Sequence, residues 1–343
     1  MACCVVTVSH GLRVAIKTCW IIIVVASFYV LFLNSRHAKQ PFISSLLDPA
    51  DPAREWCPIP SPKLIGWTNI SSLAMDVFRK NQQHQKSVIK IDRVRDGGKY
   101  EPAECQSRNH IAIVVPYRNR ADHLAVFLRY MHPFLQRQQL SYIIIVVEQS
   151  DNGNSPFNRG MLMNIGFNEA QLLMEKFQCV IFHDVDLLPE NDANPYTCPQ
   201  DGRPRQMSFS IDYLNHYKPT ARNHFGGVTA LSANDFRTLG GYSNAFWGWG
   251  GEDDELYNRV KSHNMTVTRA FDGQQPPSLF IPLTRYKSLS HRKAKPNPDR
   301  KRLLKQASTG YIKADGGLAT LVYKRLDRQL KPLYTHVIVD IHP

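Results

Sequence analysis

Three short apolar runs, separated by two amphipathic stretches, constrain the fold of this chain more than any other feature of its sequence. The runs are HIAIVVPY at 110–117, YIIIVV at 142–147 and CVIF at 179–182. Such β-branched runs are typical of strands buried on both faces, as in a parallel sheet. The stretches between them, 121–138 and 159–177, carry apolar residues at helical spacing. We therefore expect an α/β domain built on a mostly parallel, twisted sheet flanked by helices.

The amino-terminal region predicts a membrane anchor. Residues 18–33 contain no charged side chain, and extension back to residue 14 gives roughly the 20 apolar residues that span a bilayer. Lys17 would then snorkel to the interface. A cleaved signal peptide is the alternative, but the run is long for one and lacks a small-residue cleavage site. We expect a cytoplasmic tail at 1–13, a transmembrane signal-anchor at 14–33, a polar stem at 34–56 and a luminal domain at 57–343.

Cysteines and glycosylation motifs favour a luminal location for the domain. The cysteines that follow the predicted anchor are even in number, which suits two disulfides in an oxidising compartment, although buried thiols are the alternative. They are Cys57, Cys105, Cys179 and Cys198. Asn69 and Asn264 each begin an N-glycosylation sequon. The net charge of +13 suits nucleic acid, a membrane surface or a phosphate-bearing substrate, and we expect no nucleic-acid partner because a luminal domain rarely meets one.

Two carboxylates follow the third apolar run, in the tripeptide Asp184-Val185-Asp186. Side chains at i and i+2 of an extended segment point the same way, so both can face one divalent cation that also holds a diphosphate. Oxygen ligands suit Mn²⁺ or Mg²⁺, which would neutralise charge on a departing nucleotide. A solvated acidic loop is the alternative. The position at the end of a buried strand, where α/β proteins bind their ligands, favours the metal.

The stretch FWGWGGEDDE at 246–255 combines flat aromatic rings, glycines and acids. Trp247 and Trp249 can pack against sugar rings, and the glycines permit a moving loop. A carboxylate here can take a proton from an acceptor hydroxyl, and direct displacement at the anomeric carbon would then invert its configuration. The alternative for one or two of the four acids is compensation of the dipole of a helix that ends near Lys261.

Basic and aromatic residues elsewhere suit a nucleotide. Guanidinium groups bind phosphate, and an aromatic ring can stack on a base, although surface arginines that cap a helix are the alternative. The basic segment 285–305 suits a mobile lid over phosphates, with His291 as a metal ligand and Arg300 near the donor, or simply a solvated surface. The candidate nucleotide contacts outside this segment are Arg118, Arg120, Phe157 and Arg159.

In their order along the chain these segments resemble the β-1,4-galactosyltransferase family, including its invertebrate N-acetylgalactosaminyl and N-acetylglucosaminyl relatives. The resemblance covers about residues 57–341 and rests on PYRNR, FNRG, CVIFHDVDLLPENDANPYTC, HFGGVTALS, FWGWGGEDDE, PNPDR and PLYTHVIVDI. It implies a GT-A fold, a type II Golgi anchor and the disulfides Cys57–Cys105 and Cys179–Cys198. It also implies inverting transfer of galactose, N-acetylgalactosamine or N-acetylglucosamine from a UDP-sugar to a terminal N-acetylglucosamine of a glycoprotein or glycolipid, with Mn²⁺ or Mg²⁺.

The resemblance also implies roles for individual residues. Asp186 and His291 would bind the metal. Asp253 would be the catalytic base, with Asp254 also on the acceptor and Glu252 beside it on the donor. His224 would stand at a position that selects the donor sugar. The remaining implied contacts to the UDP-sugar are Arg118, Arg120, Phe157, Arg159, Asp184, Val185, Gly227, Trp249 and Arg300.

Four departures from the family pattern qualify that resemblance. Ser288 stands where a metal-binding methionine is expected, and a hydroxyl is a weaker, harder ligand than a thioether. His224 is neither the tyrosine nor the small aliphatic residue expected there, Tyr213 replaces a lysine, and Lys301 replaces an aromatic residue. They sustain a second hypothesis, a weakly active or inactive subunit of transferase fold that binds glycans or assists another transferase. The sequence leaves open a helper protein and a homo-oligomer.

Overall fold

The computed structural model describes residues 54–71, 91–150, 155–214, 216–269, 282–292, 294–309 and 317–343. All of these residues belong to one unit, Ala53–Pro343. The predicted tail and anchor lie outside the described residues, as does the stem up to residue 53. Within the part of the chain that is described, no helix has the length and apolar character needed to cross a membrane.

The elements alternate between strands and helices in the first half and become irregular in the second. In chain order they include β1 (Lys99–Tyr100), β2 (His110–Tyr117), α1 (Ala121–Arg137), β3 (Ser141–Gln149), α2 (Arg159–Leu173), β4 (Cys179–His183), β5 (Leu187–Pro189), β6 (Arg205–Gln206), β7 (Ser210–Ile211), β8 (Val228–Ser232), α3 (Ala233–Thr238), α4 (Glu252–Ser262), β9 (Arg285–Ser288), α5 (Arg300–Ser308), β10 (Lys324–Lys331) and β11 (Tyr334–Asp340).

The three apolar runs form β2, β3 and β4, which confirms the strands that the sequence predicts. The amphipathic stretches form α1 and α2, although α2 ends at Leu173 rather than at residue 177 because Met174 adopts an extended backbone. β2 lies between β3 and β4 and is parallel to both. The chain therefore winds to opposite sides of β2, and this reversal opens a crevice at the carboxyl ends of β2 and β4.

The large sheet is mixed, so the prediction of a mostly parallel sheet is wrong outside its centre. Its order is β10-β11-β3-β2-β4-β8-β6, with β1 paired to β3. Parallel pairing in this sheet joins β11, β3, β2 and β4, whereas β8 is antiparallel to β4, β6 to β8, β1 to β3 and β10 to β11. The reason lies in the connections. β10 and β11 form a hairpin, which makes β10 antiparallel to β11. β8 is reached from β4 without a helical crossover, so β8 is not required to run parallel to β4.

Alternate residues of the central strands supply two hydrophobic layers. Ile111 and Ile113 of β2 face the layer that contains α1, whereas Ala112 and Val114 face the layer that contains α2. A Cβ atom on Gly166 of α2 would overlap Val114, so only glycine allows α2 to lie this close to the sheet. Burial of each large aliphatic side chain contributes about 2 kcal/mol, and this rigid core fixes the strand ends at which the site lies.

A second, three-stranded sheet of order β5-β9-β7 extends from the carboxyl end of β4. β9 is antiparallel to β5, with Leu187 opposite Ser288, and parallel to β7. Disulfides join Cys57 to Cys105 and Cys179 to Cys198, which confirms the pairing that the family resemblance implies. The small sheet thus carries the segment after β9 to the crevice.

Candidate active site

The two expected metal ligands meet at the carboxyl end of β4. Asp186 follows this strand, and its Oδ2 atom lies 2.6 Å from Nε2 of His291 and 3.7 Å from Nη1 of Arg120. β9 brings His291 there, because the Leu289 amide just after this strand donates to the Asp186 carbonyl at 2.8 Å. The structure therefore brings together two side chains that are far apart in the sequence.

Asp186 and His291 form an acid–imidazole pair. Burial is the largest single effect on the pKa of Asp186 and acts to raise it, but the hydrogen bond from His291 and the charges of His291 and Arg120 together outweigh burial, and the pKa lies below its usual value of 3.8. The same hydrogen bond raises the pKa of His291 above 6.5. Nη2 of Arg120 lies 3.1 Å from Nδ1 of His291, so a fixed positive charge stands beside the pair.

These residues fit a Mn²⁺ or Mg²⁺ ion that takes its other ligands from a substrate. A carboxylate oxygen and an imidazole nitrogen 2.6 Å apart can both turn to one cation, which replaces the proton between them. In the described ranges no group of three or more His, Cys, Asp or Glu side chains stands ready for a metal. An ion held by one or two protein side chains plus substrate phosphates is the usual arrangement for Mg²⁺.

One guanidinium organises the adjacent part of the crevice. Arg159, the first residue of α2, donates from Nε to Asp184 Oδ1 at 2.8 Å, from Nη1 to Glu252 Oε1 at 3.3 Å and from Nη2 to the Gly227 carbonyl at 3.3 Å. It thereby gathers three residues that the resemblance places on the donor sugar. Val185, beside Asp184, is buried and belongs to the core cluster on the α1 side of the sheet, and its expected contact with UDP stays a prediction.

Burial has the largest effect on the pKa values of the Asp184 and Glu252 carboxyl groups. It raises the pKa of Asp184 above 3.8, and the charge of Arg159 offsets this only in part. Burial, followed by the charge of Asp253, raises the pKa of Glu252 to about 7. Because Arg159 is shared, neither carboxylate is fully compensated. The Glu252 Oε2 atom is buried and has no hydrogen-bond partner among the described residues, so it is available to a bound hydroxyl.

Asp253 stands in the first turn of α4 against a glycine pair. A Cβ atom at Gly226 would overlap Asp253 Oδ2, and Gly227 has a φ of +73°. Asp253 Oδ1 accepts the Asp254 amide at 3.0 Å, which leaves Oδ2 towards Gly226. The Asp254 side chain is exposed overall, but partial burial of its carboxyl group, followed by the charge of Asp253, raises the pKa of that group above 3.8.

His224 lies beside this glycine pair. Burial lowers the pKa of His224 below 6.5, against an opposing effect of Asp253, so the imidazole is neutral near pH 7. Its Nε2 atom is buried and has no hydrogen-bond partner within the described ranges. A neutral ring nitrogen without a partner can form a polar contact with a bound substrate.

Trp249 is an exposed aromatic residue of the crevice, with 58% of its surface accessible. The Arg300 guanidinium lies over its ring at 5.4 Å from the centroid. The main chain of Trp249 pairs with the segment before α5, donating to the Lys295 carbonyl at 3.4 Å and accepting the Asn297 amide at 2.9 Å. The tryptophan loop and this basic segment therefore meet, as a lid made from both would require.

The phenylalanine expected to stack on the uracil is linked to the same loop. The Gly248 amide donates to the Phe157 carbonyl at 2.8 Å. The Arg118 guanidinium lies over the Phe157 ring at 5.2 Å and donates to the Ser155 carbonyl at 2.9 Å. Arg118 thus occupies one side of the ring, and the structure places these two predicted nucleotide contacts side by side.

Two residues near the carboxylates were not predicted to take part in the site. From the sequence, Tyr213 is only the residue that replaces a lysine of the family pattern. In the structure it lies close to the carboxylates, and burial and the charges of Asp184 and Asp186 raise the pKa of its phenol to about 12. The preceding Asp212 accepts the Ser288 amide of β9 at 2.9 Å. No sequence pattern distinguishes Asp212 from a loop acid, because its partner comes from a distant strand.

Known proteins are similar to this chain in both sequence and architecture. Residues 57–199 match the N-terminal region of glycosyl transferase group 7, and residues 205–291 match the N-terminal domain of galactosyltransferase. The chain is 39% identical to Bos taurus beta-1,4-galactosyltransferase 3 over 296 residues, which cover 85% of this chain and 69% of that protein. It is 40% identical to Bos taurus beta-1,4-galactosyltransferase 1 over 286 residues, which cover 83% and 66%.

Solved structures agree with this relationship. The catalytic domain of Drosophila beta-1,4-galactosyltransferase 7 in complex with xylobiose has a TM-score of 0.56 and 27% identity, covering 68% of this chain and 95% of that one. A mutant of the same enzyme in complex with manganese, UDP-galactose and xylobiose has a TM-score of 0.56 and 26% identity, with the same coverage. On this sequence and structural similarity, the chain belongs to the β-1,4-galactosyltransferase family and is a UDP-sugar-dependent glycosyltransferase of mixed α/β, GT-A-like fold.

Proposed function

We propose that this protein transfers galactose from UDP-galactose, with inversion, to a terminal N-acetylglucosamine of a glycan, assisted by Mn²⁺. The observation that supports this most is the position of Asp253, which lies against Gly226 and beside the cluster of Arg159, Asp184 and Glu252. A base and a set of sugar-binding carboxylates then face one crevice, as a displacement reaction requires.

In the proposed mechanism Asp253 accepts the proton of the acceptor hydroxyl. The hydroxyl oxygen attacks the anomeric carbon from the side opposite UDP, a carbon–oxygen bond forms, and the bond to the diphosphate breaks with inversion. Arg118 and Arg120 lie where they can bind the nucleotide. The metal, held by Asp186 and His291, would neutralise negative charge on the departing diphosphate.

The donor-binding role of the second carboxylate is supported by its electrostatics. Glu252 has one oxygen on Arg159 and one buried oxygen without a partner. A sugar hydroxyl can accept a hydrogen bond from that oxygen while Glu252 is protonated, or donate one to it when Glu252 is ionised, and either bond would relieve the cost of leaving the oxygen unsatisfied. Trp249, exposed at the crevice, offers a flat surface to the sugar, and His224 stands where it can influence which sugar binds.

We further propose that the enzyme is a single-pass type II protein of the Golgi membrane. Residues 14–33 would form the anchor, 34–56 the stem and 57–343 the luminal catalytic domain. The two disulfides support this location, because such bonds persist in oxidising compartments.

Transfer assays on the purified protein test the activity. UDP-galactose, UDP-N-acetylgalactosamine and UDP-N-acetylglucosamine are each offered with a GlcNAc-terminated acceptor, in Mn²⁺, in Mg²⁺ and with a chelator. We expect metal-dependent transfer that is fastest from UDP-galactose and that falls about 10²-fold or more in Asp253→Asn. Preference for an N-acetylhexosamine would correct the donor, and undiminished transfer by Asp253→Asn would reject the base.

A second candidate function, a glycan-binding helper of another transferase, is favoured by one observation at the metal pair. Arg120 stands 3.7 Å from Asp186, and Ser288 replaces a stronger ligand nearby, so cation binding has a competitor and lacks a thioether. Absence of transfer from every donor with either metal, in a folded protein, would support this reading. Ser288→Met would then be expected to strengthen Mn²⁺ binding.

A further inference from the structure

A chain of hydrogen bonds between buried side chains runs behind the Asp184-Val185-Asp186 tripeptide. His183, the last residue of β4, has Nδ1 2.9 Å from the Asp184 carbonyl oxygen and Nε2 2.8 Å from the Tyr196 hydroxyl. The Tyr196 hydroxyl lies 3.0 Å from that of Tyr286, which accepts from Nδ2 of Asn194 at 3.2 Å. His183, Asn194, Tyr196 and Tyr286 are all 0% exposed.

Chemistry fixes the direction of every bond in this chain. A carbonyl oxygen only accepts, so His183 must carry its proton on Nδ1 and donate it to Asp184. Burial lowers the pKa of His183 to about 4, so the ring is neutral and Nε2 is an acceptor. Tyr196 therefore donates to His183, and Tyr286 in turn donates to Tyr196. Asn194 supplies the remaining donor, and each hydroxyl is used once as donor and once as acceptor.

This chain of hydrogen bonds joins the two segments that carry the expected metal ligands Asp186 and His291. His183 ends β4, three residues before Asp186, and Tyr286 lies in β9, which leads to His291. The Tyr196 amide donates to the Gln138 side chain at 2.9 Å, which ties the network to the end of α1. A buried hydroxyl that loses its partner finds no water to replace it, so these hydrogen bonds resist separation of β4 from β9.

We propose that His183, Tyr196 and Tyr286 are positioning residues that hold β4 and β9 at the separation at which Asp186 and His291 bind one cation. The role rests on the proposed metal-assisted function. These residues touch neither substrate nor metal, and their effect passes through the main chain of Asp184 and through β9. Partners that orient metal ligands in this way typically change metal affinity by about 10–100-fold when they are removed.

Tyr196→Phe tests the proposal, because it removes the central hydroxyl and keeps the ring. It leaves His183 without its donor and Tyr286 without its acceptor. Mn²⁺ binding in saturating UDP, measured by calorimetry on the purified protein, is expected to weaken by about tenfold or more. Tyr286→Phe should do the same, and the double variant should lose much less than the product of the two effects, since both break one chain.

The protein offers a matched control at the opposite end of the sheet. Tyr142, at the amino end of β3, has its hydroxyl 2.8 Å from Nδ1 of buried His132, whose Nε2 lies 2.7 Å from the Leu333 carbonyl. Tyr142→Phe therefore removes a buried tyrosine–histidine bond of the same kind, away from the crevice. It should lower the thermal midpoint about as much as Tyr196→Phe, while Mn²⁺ affinity stays within twofold of the wild type.

The outcomes separate this inference from the proposed function. Equal Mn²⁺ affinities in wild type and Tyr196→Phe, or equal losses in Tyr196→Phe and Tyr142→Phe, would overturn the positioning role, even if transfer is robust. A wild type that binds no Mn²⁺ in the presence of UDP would overturn it as well. Selective loss in Tyr196→Phe beside a wild type that transfers no sugar would support the positioning role and reject only the enzymatic proposal.

Discussion

At the scale of single residues, the crevice is organised by an imbalance of charge. Arg159 is one cation shared by Asp184 and Glu252, while Asp253 adds a further carboxylate next to Glu252. Burial penalises each ionised form, and one guanidinium cannot offset all of it. Glu252 consequently holds a proton up to a pH of about 7, although it lies in the first turn of α4, where the helix dipole favours a negative charge.

The raised pKa of Glu252 predicts a specific pH dependence of stability. The pKa rises from 4.5 to about 7 on folding, so between these values the folded protein binds a proton that the unfolded chain releases. The contribution of Glu252 to the free energy of unfolding is therefore fully present below pH 4.5 and is lost as the pH rises through about 7. Glu252→Gln removes the effect. We expect its thermal midpoint, relative to the wild type, to rise steadily across that window.

Arg159, Asp184 and Asp253 all face Glu252 and remain in both proteins, so the difference between the two curves reports the titration of Glu252 together with its electrostatic effect on these neighbours. Glu175→Gln, in an exposed connection between α2 and β4, is the control and should keep the wild-type pH dependence. Parallel curves for Glu252→Gln and wild type, measured by calorimetry at intervals of pH, would contradict the prediction.

The close approach of Gly226 to Asp253 predicts that a substitution at this glycine affects catalysis rather than stability. A methyl group there would overlap Asp253 Oδ2, so Gly226→Ala should displace the proposed base while leaving the metal pair in place. We expect kcat to fall at least about tenfold, because misplacement of a catalytic group by about 1 Å can cost 10²-fold. Affinity for Mn²⁺ and UDP should change little. Gly202→Ala is the control: nothing lies within 4 Å of the added atom, although the φ of +74° there strains an alanine, so this variant should lose some stability and keep wild-type kcat.

At the scale of elements, α4 must hold its first turn, with Glu252 and Asp253, at a fixed place in the crevice. Its far end is anchored by Arg259, which donates to Glu255 Oε1 at 2.8 Å and to the carbonyls of Leu239 and Gly241 at 2.9 and 2.7 Å. These bonds tie the helix to the turn after α3. The glycine that precedes α4, Gly251, has a φ of +106°, so the chain enters the helix through a backbone conformation that other residues rarely adopt.

The anchor predicts that Arg259→Met destabilises the fold by about 3 kcal/mol, because Glu255, 7% exposed, would be left as an uncompensated buried charge. Denaturant unfolding of the purified protein measures this directly. Lys261→Met removes a positive charge from an exposed position of the same last turn and should change stability by less than about 0.5 kcal/mol. Equal stabilities for the two variants would show that the Arg259 contacts are not a significant anchor.

Elements differ in how far the sequence predicts them. β2, β3, β4, α1 and α2 follow from the hydrophobic pattern, because each strand is a continuous apolar run and each helix carries apolar residues at helical spacing. β8 is as short as β4, and its sequence VTALS contains no continuous apolar run, so it gives no such signal. β10, KRLDRQLK, is a mostly exposed edge strand with two leucines and no alternation, so its identity depends on pairing with β11. The mixed direction of the sheet depends on such pairings, which local sequence does not encode.

At the scale of the whole molecule, the crevice collects residues from opposite parts of the chain. The ends of β2 and β4 could be predicted as neighbours, since parallel strands adjacent to a reversal of winding place their carboxyl ends together. That rule accounts for Arg120 and Asp186. It does not account for His291 or Asp253, which arrive through β9 and α4. Residue chemistry suggests His291 as a metal ligand and a carboxylate of 246–255 as a base, and the resemblance to a family singles out Asp253 as that base. The contact of Asp212 with Ser288 has no local signal at all.

The proposed luminal orientation makes a prediction about the surface of the whole molecule. Asn69 and Asn264, the first residues of the two sequons, are exposed, and Asn264 lies in a tight turn after α4 with a φ of +57°. A domain that enters the secretory lumen should carry glycans at these positions. In a secretory cell, we expect Asn69→Gln and Asn264→Gln each to remove one glycosidase-sensitive increment of apparent mass, and the double variant to remove both. Asn234→Gln, at an exposed asparagine outside any sequon, should leave the mass unchanged. A full-length protein whose mobility is insensitive to glycosidase would contradict the luminal orientation, and the two disulfides would then need another source of oxidation.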